Sequence, residues 1–182
     1  PSPRKVTTGA LAARGAPSPP DDPMRVGIGY DSHRFAPGRR LVLGGVEIPH
    51  DKGLTGHSDA DAVAHAVTDA ILGAAALGDI GTHFPPTDER WRDADSIELL
   101  RHVVGLLRAE RFRILNADVT VVCEAPRIGP HVPAMRQTLA EVLGVEVERV
   151  SVKGKTNEGM GWIGRGEGIA ALAVATIERV GD

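Results

Sequence analysis

From residue 24 onward, apolar and polar positions follow periods that predict a series of strands and helices. Residues 25–30 form a short apolar run broken by glycines and read as a first strand. Residues 40–48 read as a hairpin region pivoting on Gly44 and Gly45. Residues 59–77 are mostly Ala, Val, Ile and Leu, which predicts a helix buried on most of its faces. Ser58 stands at its expected N-cap with Asp61 three residues on, and Gly78 follows its expected last turn. Residues 96–110 carry an amphipathic helical stripe, and 112–123, 147–153 and 169–180 read as strands. A further helix leaves the Pro-rich "APRIGPHVP" and runs to Leu143. "GDIGTHFPPTDERW" reads as a loop, and "GKTNEGMGWIGRGEG" as a glycine-rich loop or short helical turn. No internal repeat interrupts this order. Strands and helices are mixed with antiparallel-looking returns, so the fold class is α+β: one domain over 24–182, a mixed sheet packed against helices.

Residues 1–23 break the pattern. They hold six of the 13 prolines and no aromatic residue, and read as a flexible N-terminal tail or linker. Arg4, Lys5 and Arg14 precede the first acids, Asp21 and Asp22. An organellar transit segment, a linker from a fused upstream domain and an added segment are all compatible with this composition.

Bulk composition narrows the class. The 182 residues are 42% hydrophobic and 25% charged, the balance of a water-soluble globular chain. A net charge of −3 gives no bias toward nucleic acid or a membrane surface, and 3% aromatic content argues against a base-stacking platform. The apolar stretches are too short to span a bilayer. The single cysteine, Cys123, has no intrachain partner, in keeping with a reducing compartment.

Candidate chemistry begins in "GYDSHRF". Asp31 and His33 are two residues apart where the chain leaves the first strand, so in extended backbone they point to one side. The following helix carries His57, Asp61, His65 and Asp69 at steps of four; His57 falls just ahead of it and the other three share a face. Asp31, His33 and His65 make an O,N,N set that suits a catalytic zinc, leaving the fourth tetrahedral position for substrate or water. Asp61 and Asp69 then become acceptors for an imidazole N–H. Helix capping and ordinary core hydrogen bonding are the competing explanation of the same residues.

Asp79, between two glycine-containing turns, reads as a turn aspartate. Lys153, Lys155, Thr156, Glu158, Arg165 and Glu167 stand among six glycines, an arrangement able to hold a phosphate on backbone N–H groups. It is not a Walker A sequence, and a glycine-rich surface loop has the same composition. No G-x-S-x-G elbow or Cys–His pattern supplies a covalent nucleophile. A metal with phosphate-holding loops points to phosphoryl chemistry. A metal-dependent hydrolase of a nucleotide diphosphate and a non-catalytic metal- or isoprenoid-binding module remain compatible with these residues.

Five stretches, "GYDSHRF", "LVLGGVEIP", "GLTGHSDADAVAHAVTDAILGAAALGDIGTHFP", "APRIGPHVPAMR" and "VKGKTNEGMGWIGRGEGIA", together resemble the 2-C-methyl-D-erythritol 2,4-cyclodiphosphate synthase family. The resemblance covers residues 24–182. It implies an α+β homotrimer with active sites between subunits. The implied reaction cyclises 4-diphosphocytidyl-2-C-methyl-D-erythritol 2-phosphate with release of CMP, in the non-mevalonate isoprenoid pathway. The family's zinc ligands match Asp31, His33 and His65. A second divalent cation, magnesium or manganese, matches Glu158. His57 and Thr156 match transition-state stabilisers, and Ser58 stands beside the reacting phosphates. Asp79, Ile80 and Gly81 match the methylerythritol loop, and Phe84, Thr87 and Asp88 are further substrate-binding positions. Cys123, Glu124, Ala125, Pro126, Arg127, Ile128 and Gly129 match the cytidine pocket with Gly154, Lys155 and Thr156, and Asn157 is a further substrate-binding position. Trp162 and Arg165 match positions near the trimer axis. The implied compartment is the cytoplasm, or a plastid if 1–23 belong to a transit segment; an upstream cytidylyltransferase domain is another source of that tail. Two residues depart from the family pattern. Pro86 replaces a common Asp and removes a side-chain acceptor, and Trp162 replaces a common Phe and narrows the axial cavity.

Overall fold

Two glycines decide how closely the main helix approaches the main strand. The computed structural model describes residues 24–181, so the tail read over 1–23 lies outside the described residues. Strand β1 (Met24–Pro37) lies against helix α1 (Ala62–Ala75), and a Cβ built on Gly29 would stand 1.9 Å from the Ala66 carbonyl oxygen. On Gly27 it would stand 2.0 Å from that of Ala70. No side chain fits there, so strand and helix meet backbone to backbone.

Strands β2 (Leu41–Leu43) and β3 (Val46–Ile48) form the expected hairpin through Gly44 and Gly45. β4 (Lys52–Leu54), too short and polar to be read from sequence, pairs with the end of β1. The four-residue α2 (Ile80–His83) and α3 (Ser96–Ala109) precede β5 (Phe112–Val122). Then come α4 (Val132–Leu143), β6 (Val150–Lys155), the short α5 (Gly161–Gly164) and β7 (Gly168–Arg179). The main sheet has the order β4-β1-β7-β5-β6, with β5 and β6 parallel and the remaining pairs antiparallel. This is the expected mixed sheet on helices. Among the described residues no helix is long and apolar enough to cross a membrane.

The small inward residues Ala171, Ala173 and Ala175 of β7 continue the floor on which α1 lies. The opposite sheet face is left apolar and exposed. Ile28 is 69% exposed and Val26 65%, and Tyr30 and Leu172 pair directly across the strands.

Several boundaries differ from expectation, among them the start of β6, at Val150 rather than 147. β1 continues seven residues past Tyr30, because residues 31–34 pair with residues 168–171 of β7. The N-cap of α1 is Asp61, not Ser58: its carboxylate accepts the N–H groups of Val63 and Ala64, and also those of Gly44 and Gly45. Burial pushes this carboxyl up, to about 6, against the pull of those N–H groups. α1 ends at Ala75, and the following Ala76 takes the left-handed position usually held by glycine; Ala76 N–H bonds Gly73 O and Leu77 N–H bonds Leu72 O.

Candidate active site

Asp31 and His33 project from the α1-facing side of β1, and His65 meets them from α1. Asp31 Oδ2 lies 2.7 Å from His33 Nε2 and 3.0 Å from His65 Nδ1, and the two nitrogens are 3.2 Å apart. They form the one His/Cys/Asp/Glu group among the described residues whose ligand atoms lie within 4.8 Å of one another. Burial pushes the Asp31 carboxyl up. Hydrogen bonds and charge from His33 and His65 outweigh it and hold the group well below the ordinary carboxylate range. Burial opposes charge on His33, yet the Asp31 hydrogen bond and charge raise its pKa above the ordinary histidine value.

The donor set fits a zinc ion. His33 Nδ1 lies 2.7 Å from the Thr55 carbonyl, which can only accept, so in the neutral ring Nε2 keeps its lone pair. His65 is likewise held through its far nitrogen, Nε2, by the hydroxyls of Ser58 at 3.1 Å and Ser96 at 2.9 Å. Asp31 Oδ2 and His33 Nε2 are thus acceptors crowded with His65 Nδ1 on one point, an arrangement a cation relieves. Their spacing approaches the edge of about 3.3 Å expected of a tetrahedron with zinc–ligand bonds of about 2.0–2.1 Å.

A hollow of about 170 Å³ adjoins the cluster and gathers His57, Ser58, His65, Ile80, Gly81 and Phe84, all candidates from the sequence, with Pro86, Trp91 and Leu99. His57 Nε2 is buried without a hydrogen-bond partner. Its loop is fixed by Asp93 N–H on the His57 carbonyl at 2.7 Å and by the Arg39 guanidinium on the Ser58 carbonyl at 2.6 Å. Asp79 caps α2, accepting the Thr82 N–H and hydroxyl at 2.8 Å; these bonds lower its pKa and leave the Ile80–Gly81 segment ordered. Asp88 pairs with exposed Arg90.

A second cluster forms where β5 and β6 end. Glu124 Oε1 accepts the N–H groups of Asn157 and Gly159. A Cβ on Gly154 would meet Ile128 at 2.9 Å, so the 123–129 and 154–158 segments pack on each other as one unit. Cys123 is buried and its thiol is pushed up to about 11, which leaves it unreactive. Thr156 donates to Glu158 at 2.9 Å, and both stay exposed. A single carboxylate of this kind suits magnesium or manganese completed by phosphate oxygens.

A YgbB family model matches residues 24–178. The chain is 65% identical over 154 residues to the 2-C-methyl-D-erythritol 2,4-cyclodiphosphate synthase of Symbiobacterium thermophilum, covering 85% of this chain and 98% of that protein. The chain belongs to this synthase family. Its activity is therefore 2-C-methyl-D-erythritol 2,4-cyclodiphosphate synthesis, a lyase reaction of the isoprenoid precursor pathway. The synthase of Xanthomonas oryzae pv. oryzae is 55% identical over 157 residues, covering 86% of this chain and 96% of that one. A solved synthase in its CDP-bound form superposes with a TM-score of 0.78 at 39% identity, over 85% of this chain and 100% of that one. The bifunctional IspDF from Campylobacter jejuni gives 0.83 at 40% identity; the match covers 86% of this chain but 42% of that longer one.

Within one chain of this synthase the two clusters do not meet. Ser32 of β1 pairs with Ala170 of β7, which pairs with Val122 of β5, so both clusters sit at the same end of the sheet. They are separated by two to three strand spacings, about 10–14 Å. Trp162 lines a hollow of about 330 Å³ with Ser32, His33, Arg34 and Glu167, and Arg165 is paired with Glu167 at 2.6 Å. A cavity of about 320 Å³ between α3, α4 and β5 contains none of the candidate residues.

Two expectations are corrected. Asp61 serves backbone N–H groups only, and Asp69 accepts the Ile80 N–H at 2.8 Å, so neither receives an imidazole proton. The polar contacts on His65 Nε2 come instead from Ser58 and from Ser96. Ser96 is fully buried, bonded through its hydroxyl to Asp59 Oδ1, and was not foreseen. Asp59 is visible in "GHSDAD", but Ser96 lies 31 residues from His65 and carries no local signal.

Proposed function

We propose that Asp31, His33 and His65 hold a zinc ion beside the bound diphosphate, and that cyclisation is an intramolecular attack by the substrate's own 2-phosphate. A 2-phosphate oxygen forms a bond to the β-phosphorus. The bond from that phosphorus to the bridging oxygen breaks, and CMP leaves with the electron pair. The nucleophile is already ionised at neutral pH, in keeping with a site without a base–nucleophile pair. The observation that carries this reading is the convergence of three candidate ligand atoms beside the His57–Ser58 hollow.

When bound, the zinc and a second divalent cation at Glu158 supply positive charge that offsets repulsion between the phosphates. The remaining work belongs to the chain. His57, which lines the hollow, and Thr156 offer hydrogen bonds to phosphate oxygens as charge shifts toward the leaving group. Ser58 lies beside the same phosphates. The Ile80–Gly81 segment, fixed by Asp69 and Asp79, receives the methylerythritol, and Pro86 leaves that side of the hollow without a carboxylate. The packed 123–129 and 154–158 segments receive the cytidine, as the CDP-bound relative suggests. Orientation of two ends of one molecule contributes up to about 7–11 kcal/mol of barrier reduction.

The assembly is a homotrimer in which a neighbour's nucleotide segments complete each triad. The apolar exposed sheet face and the gap between clusters within one chain support this arrangement. Turnover in ¹⁸O-labelled water tests the mechanism. Phosphorus NMR should show cyclic diphosphate and CMP free of solvent oxygen; label in either product would mark a hydrolase instead.

A further inference from the structure

We propose that Asp59 and Ser96 are positioning residues for His65, determining which ring nitrogen carries the proton; this rests on the zinc-triad reading above. The direction of the chain of hydrogen bonds follows from what each group can donate. The Asp59 carboxylate is an acceptor, so the Ser96 hydroxyl donates to Asp59 Oδ1. The Ser96 N–H donates to Oδ2 at 3.2 Å, closing the pair from both sides. With its proton committed, Ser96 Oγ presents lone pairs to His65 Nε2 at 2.9 Å. Nε2 must then carry the N–H, and Nδ1 keeps the lone pair that faces Asp31 and His33.

The opposite tautomer is a strong competitor. Asp31 Oδ2, 3.0 Å from His65 Nδ1, would readily accept a proton placed there, and Nδ1 would then have no lone pair for a cation. The Asp59–Ser96 pair opposes this from the far side of the ring. Ser96 is fully buried, so water does not dilute the bond. Asp59 is anchored by its own N–H on the Ala94 carbonyl at 3.0 Å and by the Asp61 N–H on Oδ1 at 3.2 Å. Ser58 Oγ also touches Nε2, at 3.1 Å, and accepts the Ala60 N–H; its own proton is free to turn either way, so it imposes no direction.

The test uses full-length protein, ¹⁵N-labelled at histidine. In metal-free wild type, NMR should show His65 with a pyrrole-like Nε2 and a pyridine-like Nδ1. Ser96→Ala should shift the ring toward Nδ1–H and lower zinc affinity, measured by chelator competition, about 10–100-fold. Asp59→Asn, at a half-buried position, should move both readouts the same way and serves if Ser96→Ala folds poorly. A wild-type ring protonated at Nδ1, or variants that keep the wild-type tautomer whatever their affinity, overturns the proposal. His65→Ala run in parallel separates the two levels: if it binds zinc like wild type, the triad reading fails. If it loses zinc while Ser96→Ala keeps both tautomer and affinity, only the positioning role fails.

Discussion

Asp31 acts twice on the same imidazole. In the proposed site it is a ligand in its own right, and its charge holds a proton on His33 more tightly than an ordinary histidine would. A proton and a metal compete for His33 Nε2, so metal affinity falls as pH falls. Because the folded pKa is raised, the loss begins above the ordinary histidine range and deepens through it. Chelator competition from about pH 8 down to about pH 5.5 should show a continuous decline. An affinity flat across that range would contradict the triad. Asp31→Asn separates the two roles. It removes a ligand, so affinity at neutral pH should drop by more than the roughly 10–100-fold typical of outer partners. It also removes the cause of the raised pKa, so the remaining affinity should begin to fall at a lower pH than in wild type.

The triad depends on how near α1 lies to β1, and that distance is set by Gly27 and Gly29. Gly29→Ala puts a methyl group 1.9 Å from the Ala66 carbonyl oxygen, next to His65 in sequence. The helix must move away, carrying His65 from its partners. We expect a stability loss of about 1–3 kcal/mol or more, seen as a fall in Tm of roughly 2–4 °C per kcal/mol. Zinc affinity should fall with it, although no ligand has changed. A lowered Tm with wild-type zinc affinity would show that the site tolerates the displacement. Gly73→Ala is the control of opposite sign: the new methyl has only the Ile28 carbonyl oxygen near, at 3.9 Å, so helix propensity should stabilise the protein by about 0.5–1 kcal/mol. These elements also mark where the sequence was readable. The Ala-rich burial of α1 and the steps of four that place His65 are local patterns, as is the spacing of Asp31 and His33. The continuation of β1 past Tyr30 is not, because polar residues 31–34 are held extended by β7. The cap of α1 was misread for a related reason. Ser58 is a good capping residue, but its hydroxyl is used on His65, and Asp61 bonds both the helix and the Gly44–Gly45 turn.

At the scale of the whole molecule, one side of the sheet is finished and the other is not. The α1 side is closed by helices. The far side exposes Met24, Val26, Ile28 and Tyr30 along β1, with Leu172 and Val174 beside them on β7. Ile28 pairs with Val174 and Tyr30 with Leu172, so these residues form a continuous patch of the kind that marks an association surface. The same chain keeps its 123–129 and 154–158 segments about 10–14 Å from its own triad. Association through the patch answers both features if it brings a neighbour's segments to the triad. Ile28→Glu discriminates between folding, metal binding and assembly, because its side chain points away from α1 and from all three ligands. Sedimentation should give a monomer at concentrations where wild type forms the proposed trimer. Zinc uptake should persist, since Asp31, His33 and His65 come from one chain. Turnover should fall by on the order of 100-fold or more, the scale of losing correct placement of the reacting groups. A monomer with wild-type turnover would mean that one chain closes the gap itself, and the shared site would have to be abandoned while the zinc triad stood.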